Sequence, residues 1–217
     1  MAKRPLYDVH PSMRLIEHWI ETLKPKTGKS LTEWMKYIQK EGPETEVARR
    51  DWLKKEFDLG TNTAWWLAER SVGKGLDENP QEYLRAAPAW IEAMYAKKPQ
   101  LRPIHDALIS MARGLADDVK VCPCQTIVPI FRTHVIAQIK PSTKTRLDFG
   151  LALGALMKQR TTKFPARLVD TGGFAKKDRI THRIEITGPE QVDDAVRTWL
   201  TEAYEADPPK ADPTRDH

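Results

Sequence analysis

Cysteine is nearly absent from the 217 residues: Cys122 and Cys124 are the whole complement. That excludes a disulfide-stapled secreted scaffold, and two cysteines at i,i+2 in extended backbone are poorly placed to bond each other. No run approaches the ~20 apolar residues a membrane span requires, so no membrane partner is expected. The opening Met-Ala-Lys-Arg-Pro carries charge but no apolar stretch follows it, which argues against a signal peptide. The expectation is a cytoplasmic protein. Signatures of common chemistries are missing too: Gly-x-Gly-x-x-Gly, a phosphate loop, Gly-x-Ser-x-Gly and His-Glu-x-x-His. A nuclease strand would carry acidic-x-Lys, and the nearest stretch, Arg183-Ile-Glu-Ile-Thr187, puts threonine in the lysine's place. No cofactor is called for.

Tryptophan, by contrast, is plentiful, with seven in the chain and most of them in the first half. There the apolar residues recur at helical spacing. Met13, Ile16, Trp19, Ile20 and Leu23 define one helix. Leu31, Trp34, Met35 and Ile38 define a second, opened by the capping box Ser30-Leu-Thr-Glu33. A third spans about 44–57 with Gly60 expected as its C-terminal cap, and Thr61 is expected to cap a fourth. Asn79-Pro80 starts a further helix that Pro88 is expected to split or kink. Another runs from about 103 to 115, with His105-Asp106 in its first turn.

From 119 onward the period changes to two. Strands are expected near 119–122, 126–131, 134–139, 146–151, 166–170 and 180–187, with an irregular basic stretch at 157–165. In the fourth, Leu147, Phe149 and Leu151 share a face opposite Arg146 and Asp148. A closing helix follows Gly188-Pro189. The fold class is therefore α+β: a small N-terminal helical bundle joined to a C-terminal antiparallel sheet covered by helices. The organisation expected is a flexible arm at 1–11, the bundle at 12–75 ending in a hinge at 73–78, linker helices at 76–99, the α+β domain at 100–206, and a disordered tail from 207.

Two stretches resemble known families. Thr27-Gly-Lys-Ser-Leu-Thr-Glu-Trp34, with Glu46, Trp52-Leu53-Lys54 and Leu59-Gly60, resembles a small bacterial helical family, domain of unknown function four-two-eight-seven. Leu101-Arg-Pro-Ile-His-Asp106, Pro141-Ser-Thr-Lys-Thr-Arg-Leu-Asp-Phe-Gly150, Thr181-His-Arg183 and the closing Trp199 to Tyr204 segment resemble family five-six-five-five. The second resemblance implies kinship with α+β domains that include intracellular iron-chaperone-like proteins, and with modules found joined to nucleases. Neither implies a reaction.

The chain carries a net charge of +5. Between Arg132 and Arg183 lie twelve basic residues, Arg160 among them, against Asp148, Asp170 and Asp178; after Gly188 acidic residues dominate. Such a field over a sheet suits an anionic ligand, nucleic acid included, held by a non-enzymatic binding module. Arg132, Lys140, Lys144, Arg146 and Arg183 would neutralise charge, and Ser142 and Thr143 would orient the ligand. The plainer alternative is a solvated sheet face. A metal-handling protein would use Cys122 and Cys124 with His134 and His182 as the nearest further ligands; the alternative is small buried residues at a strand end. His182 alternates in register with Ile180, Ile184 and Ile186, which fits a core histidine better than a catalyst. An enzyme of unrecognised type, with a pocket near His182, is the third reading.

Overall fold

The helical half is built by short, well-capped segments. The computed structural model describes residues 5–74, 79–159 and 163–209. Among them α1 (Met13–Thr27) turns its Met13, Ile16, Trp19 and Leu23 stripe inward and closes at Gly28, whose φ of 78° lets its amide reach the Lys24 carbonyl. In α2 (Leu31–Glu41) the expected capping box is present in both directions: Ser30 Oγ accepts from the Glu33 amide and the Glu33 carboxylate from the Ser30 amide. α3 (Glu46–Phe57) is capped by Thr45. It ends ahead of the expected glycine: Asp58, at φ 51°, takes the left-handed cap, a conformation aspartate tolerates because its short side chain bonds locally. Gly60 then serves as N-cap of α4 (Thr61–Ser71), and Thr61 is its first residue instead of its cap. Trp34, Ile38, Leu53, Ala64 and Leu67 form the core of this unit.

α5 (Pro80–Tyr95) runs through Pro88 as one helix, so of the split or kink expected there the split does not occur. The chain divides within that helix into two compact units, Val9–Ala86 and a second made of Met1–Asp8 with Ala87–His217. In the second unit α6 (Arg102–Arg113) begins one residue earlier than expected. Asp106 consequently lies beyond its first turn and pairs with Arg102 at 2.9 Å.

A six-stranded antiparallel sheet follows: β1 (Lys120–Val121), β2 (Val128–Phe131), β3 (Val135–Lys140), β4 (Leu147–Leu151), β5 (Val169–Asp170) and β6 (His182–Ile186), ordered β1-β2-β3-β4-β6-β5. Register places Ile139 opposite Phe149 and Phe149 opposite Ile184, so the apolar residues of three strands share one buried face. The stretch expected to be irregular at 157–165 begins inside a helix, α7 (Gly154–Gln159); Ala155, Leu156, Met157 and Lys158 are good helix formers with no glycine or proline among them. The last helix, α8 (Asp194–Glu205), packs on β3 and β4, and α6 against β1. The other face of the sheet carries Gln138, Lys140, Asp148, Arg183 and Glu185.

Both expected loose ends are tied where they are described. Tyr7 is buried, the Asp8 amide donates to the Val121 carbonyl at 2.8 Å, and Arg113 reaches Asp8 at 2.6 Å. Asp207, the first residue of the expected tail, is 1% exposed. Residues 1–4 of the arm, 75–78 of the hinge, Arg160 and residues 210–217 lie outside the described residues.

Candidate anion-binding cleft

The residues singled out in the sequence fall into separate places. Lys140, Ser142, Thr143, Lys144, Arg146 and Arg183 do come together at the β3–β4 connection and the polar sheet face. Two carboxylates stand between the two arginines there. Arg146 pairs with Asp148 at 3.0 Å and Glu185 at 3.2 Å; Arg183 pairs with Glu185 at 2.9 Å and Asp148 at 3.8 Å. Ser142 donates to Asp148 at 2.6 Å. Equal numbers of opposite charges leave this lattice neutral, and a neutral lattice has little field for an anion. Of the cations singled out at this face, Lys140 and Lys144 have no carboxylate in ion-pair range among the described residues.

Arg132 stands at the opposite end of β3. It pairs with Asp118 at 3.1 Å, lies 3.9 Å above the Tyr204 ring, and donates to the carbonyls of Tyr204 and Asp207. Its work is to hold the end of α8. His134 sits beside it, bonded through Nδ1 to Asp207 Oδ1 at 2.8 Å. Burial opposes ionisation of Asp207, but hydrogen bonds from the His134 amide and ring and the charge of Arg179 outweigh it, holding the carboxyl below the usual range.

The four metal candidates do not converge. Among the described residues no three of histidine, cysteine, aspartate and glutamate gather as a metal would require. Cys122 is fully buried just past β1, and burial pushes its thiol up to about 12. His182 is 3% exposed, packed 4.4 Å from the Phe164 ring, and burial lowers its basicity.

A cleft of about 490 Å³ opens instead between α7, the 171–181 loop and the end of α8. Small apolar side chains, Ala152, Ala155, Ala203 and Ala206, line it together with the half-exposed ring of Phe174. Lys158, Lys177 and Arg179 supply positive charge, and Asp178 is the acidic residue of the lining. Among the described residues neither lysine has a carboxylate in ion-pair range. Arg179 is anchored, through Nε to the Val135 carbonyl at 3.0 Å and through Nη2 to Asp207 at 2.5 Å.

The loop that presents Lys177 is tightly specified. Thr171 clips its base to Thr181 and Ile180, and the Asp178 amide returns to the Gly173 carbonyl at 2.8 Å. A Cβ at Gly173 would sit 2.2 Å from the Ile180 carbonyl oxygen, so only glycine allows this closure. Lys177 itself is left-handed, with φ of 60°, a conformation costing a non-glycine residue about 1 kcal/mol. Thr181, in the lining, is buried, accepts from the Leu153 amide at 3.2 Å, and bonds His182 Nδ1 at 3.1 Å. Its hydroxyl is engaged in holding the loop. In the sequence the three cations belong to the basic field and nothing assigns them to a site, because the cleft is assembled from segments far apart in the chain.

The fold and cleft together describe an antiparallel α+β module with a recess lined by cations and small apolar side chains. The chain belongs to the family described as Domain of unknown function (DUF5655), whose model matches residues 91–207 and so contains every residue of the cleft. Residues 16–70 match a second family, Domain of unknown function (DUF4287). No curated protein and no solved structure matches the chain. The kinship with iron-chaperone-like domains expected from the sequence has no counterpart in these matches. Among the described residues no helix is long and apolar enough to cross a membrane.

Proposed function

We propose that the chain is a binding module for a small anionic ligand with an apolar or aromatic portion, seated in the α7–loop–α8 cleft. The observation that supports this is the pair of ammonium groups, Lys158 and Lys177, standing without carboxylate partners among the described residues, in a cleft lined with alanines. A recess of this size suits a small molecule. The phosphate or carboxylate would meet the lysines and Arg179, and a flat group would rest against Phe174. Lys140, Ser142, Thr143 and Lys144 are the second seat for the same chemistry. There Arg146 and Arg183 are already neutralised, so the cleft is better supported.

Each charge-assisted hydrogen bond is worth about 1.5–3 kcal/mol, so losing both lysines should weaken binding by at least about a hundredfold. The test is calorimetric titration of the full chain with inorganic pyrophosphate and with adenosine monophosphate, at low and moderate salt. The expected result is binding that weakens with salt and is lost in Lys158→Ala/Lys177→Ala but kept in Lys140→Ala/Lys144→Ala. The reverse pattern moves the ligand to the sheet face, and no binding of either probe sinks the reading.

A further inference from the structure

The stretch from Thr27 to Trp34 has no part in the cleft, and it builds a second kind of site in the helical unit. The Lys29 ammonium lies 5.0 Å from the centroid of Trp34, 4.9 Å from Tyr37 and 5.8 Å from Phe57. These three rings are close to mutually perpendicular: 80° between Trp34 and Tyr37, 88° between Trp34 and Phe57, and 88° between Tyr37 and Phe57. They are three sides of an open box, their centroids 5.1–6.0 Å apart, and the ammonium lies over all three. Trp52 backs the Tyr37 wall, stacked at 17° with centroids 5.9 Å apart.

Single cation–π contacts are common surface events; three orthogonal faces converging on one ammonium form the arrangement that binds quaternary ammonium groups. The walls are held independently of the lysine. Trp34 is in the core and its indole N–H donates to Thr27 Oγ1 at 2.7 Å, while Tyr37 and Phe57 come from α2 and α3. Lys29 is the member that lies outside the helices. It sits in the short connection between Gly28 and the cap Ser30 and is only partly buried. No carboxylate among the described residues pairs with it. Rotation about its own side-chain bonds would empty the box without breaking either helix.

We infer that this box is a binding site for a small quaternary ammonium cation of the choline type, with Lys29 as its resident occupant and competitor. A methylated ammonium carries the same charge with a weaker hold on water than a primary amine, so it loses less on entering an aromatic enclosure. The lysine lowers apparent affinity by occupying the site, as any competing state does.

The test is a tryptophan-fluorescence titration of the full chain with choline chloride and tetramethylammonium chloride, ionic strength held constant with sodium chloride. Lys29→Ala, which empties the box, should bind choline about tenfold more tightly than the natural chain. Lys29→Met, which refills it with a neutral chain of similar length, should not. Tyr37→Leu, with helical content verified by circular dichroism, should lose the signal. The inference is overturned if Lys29→Ala binds no more tightly than Lys29→Met, if a folded Tyr37→Leu keeps the saturable response, or if sodium chloride alone reproduces it.

Discussion

Among individual residues, His105 is one whose environment changes its chemistry within an accessible pH range. It is 1% exposed in α6, its Nδ1 lies 3.0 Å from the Tyr95 hydroxyl, and its Nε2 finds no hydrogen-bond partner among the described residues. Burial lowers its pKa to about 4, the neighbouring Asp106 only partly opposing the shift. The unfolded chain titrates near 6.5, so folding favours the neutral ring. Stability from this source is therefore full above about pH 6.5 and declines as pH falls toward 4, by about 3 kcal/mol in all. Urea denaturation at about pH 7 and about pH 5 should show the loss in the natural chain. His105→Gln, an uncharged replacement, should be less stable at the higher pH yet lose much less between the two values. Equal pH dependence in both would show that the imidazole is not the group responsible. His105 was legible in the sequence only as a residue near a helix start; its burial depends on Tyr95 from another helix, which no local pattern announces.

At the level of elements, each stretch expected as a strand overlaps one of the six strands described, and the alternation of buried and polar positions is clearest in β4 and β6. What the pattern left open was how the polar face resolves its charge. Asp148 and Glu185 are single acidic residues in a basic run, and only the β4–β6 register, which sets Asp148 opposite Glu185, brings both between Arg146 and Arg183. Two carboxylates placed opposite each other would repel without those guanidiniums. Arg146→Glu should then cost about 1–3 kcal/mol by adding a third carboxylate, read as a lower midpoint in chemical denaturation, with cleft binding unchanged. A variant as stable as the natural chain would mean the lattice is solvent-screened and the sheet face freer to hold an anion than its geometry suggests. The caps show the same division. Ser30 and Glu33 could be assigned from spacing alone, whereas Asp58 displaced Gly60 because a left-handed cap needs only one tolerant residue, and aspartate came first. The cleft was illegible for a related reason: alanines read as filler until three elements leave a gap beside them.

For the whole molecule, the order of the chain hides which parts belong together. Read linearly, a helical domain precedes an α+β domain and the first residues are an arm. The fold instead joins residues 5–8 to the α+β unit, so that Val9–Ala86 is inserted between a short leading segment and the body it packs on. The attachment is specific. Tyr7 is 6% exposed, Asp8 exchanges two hydrogen bonds with Val121 of β1, and Arg113 of α6 pairs with Asp8 while donating to the Leu6 carbonyl at 2.8 Å. Those bonds also cover part of the sheet's β1 edge, which would otherwise present unpaired backbone groups. Nothing in the leading sequence signals this, because so short an edge attachment has no periodicity to read. Replacing Tyr7 with alanine should destabilise the α+β unit by about 2–4 kcal/mol, the usual range for emptying a buried aromatic site. Asp8→Ala should cost about 1–3 kcal/mol by leaving the Val121 amide without its acceptor and Arg113 without its carboxylate partner. Hydrogen exchange is the discriminating measurement, since both substitutions should raise exchange in β1, β2 and α6 while α1 to α4 keep their natural protection. Unchanged exchange at Val121 in either variant would mean the leading segment is only resting on the sheet, and the chain would then be two consecutive domains after all.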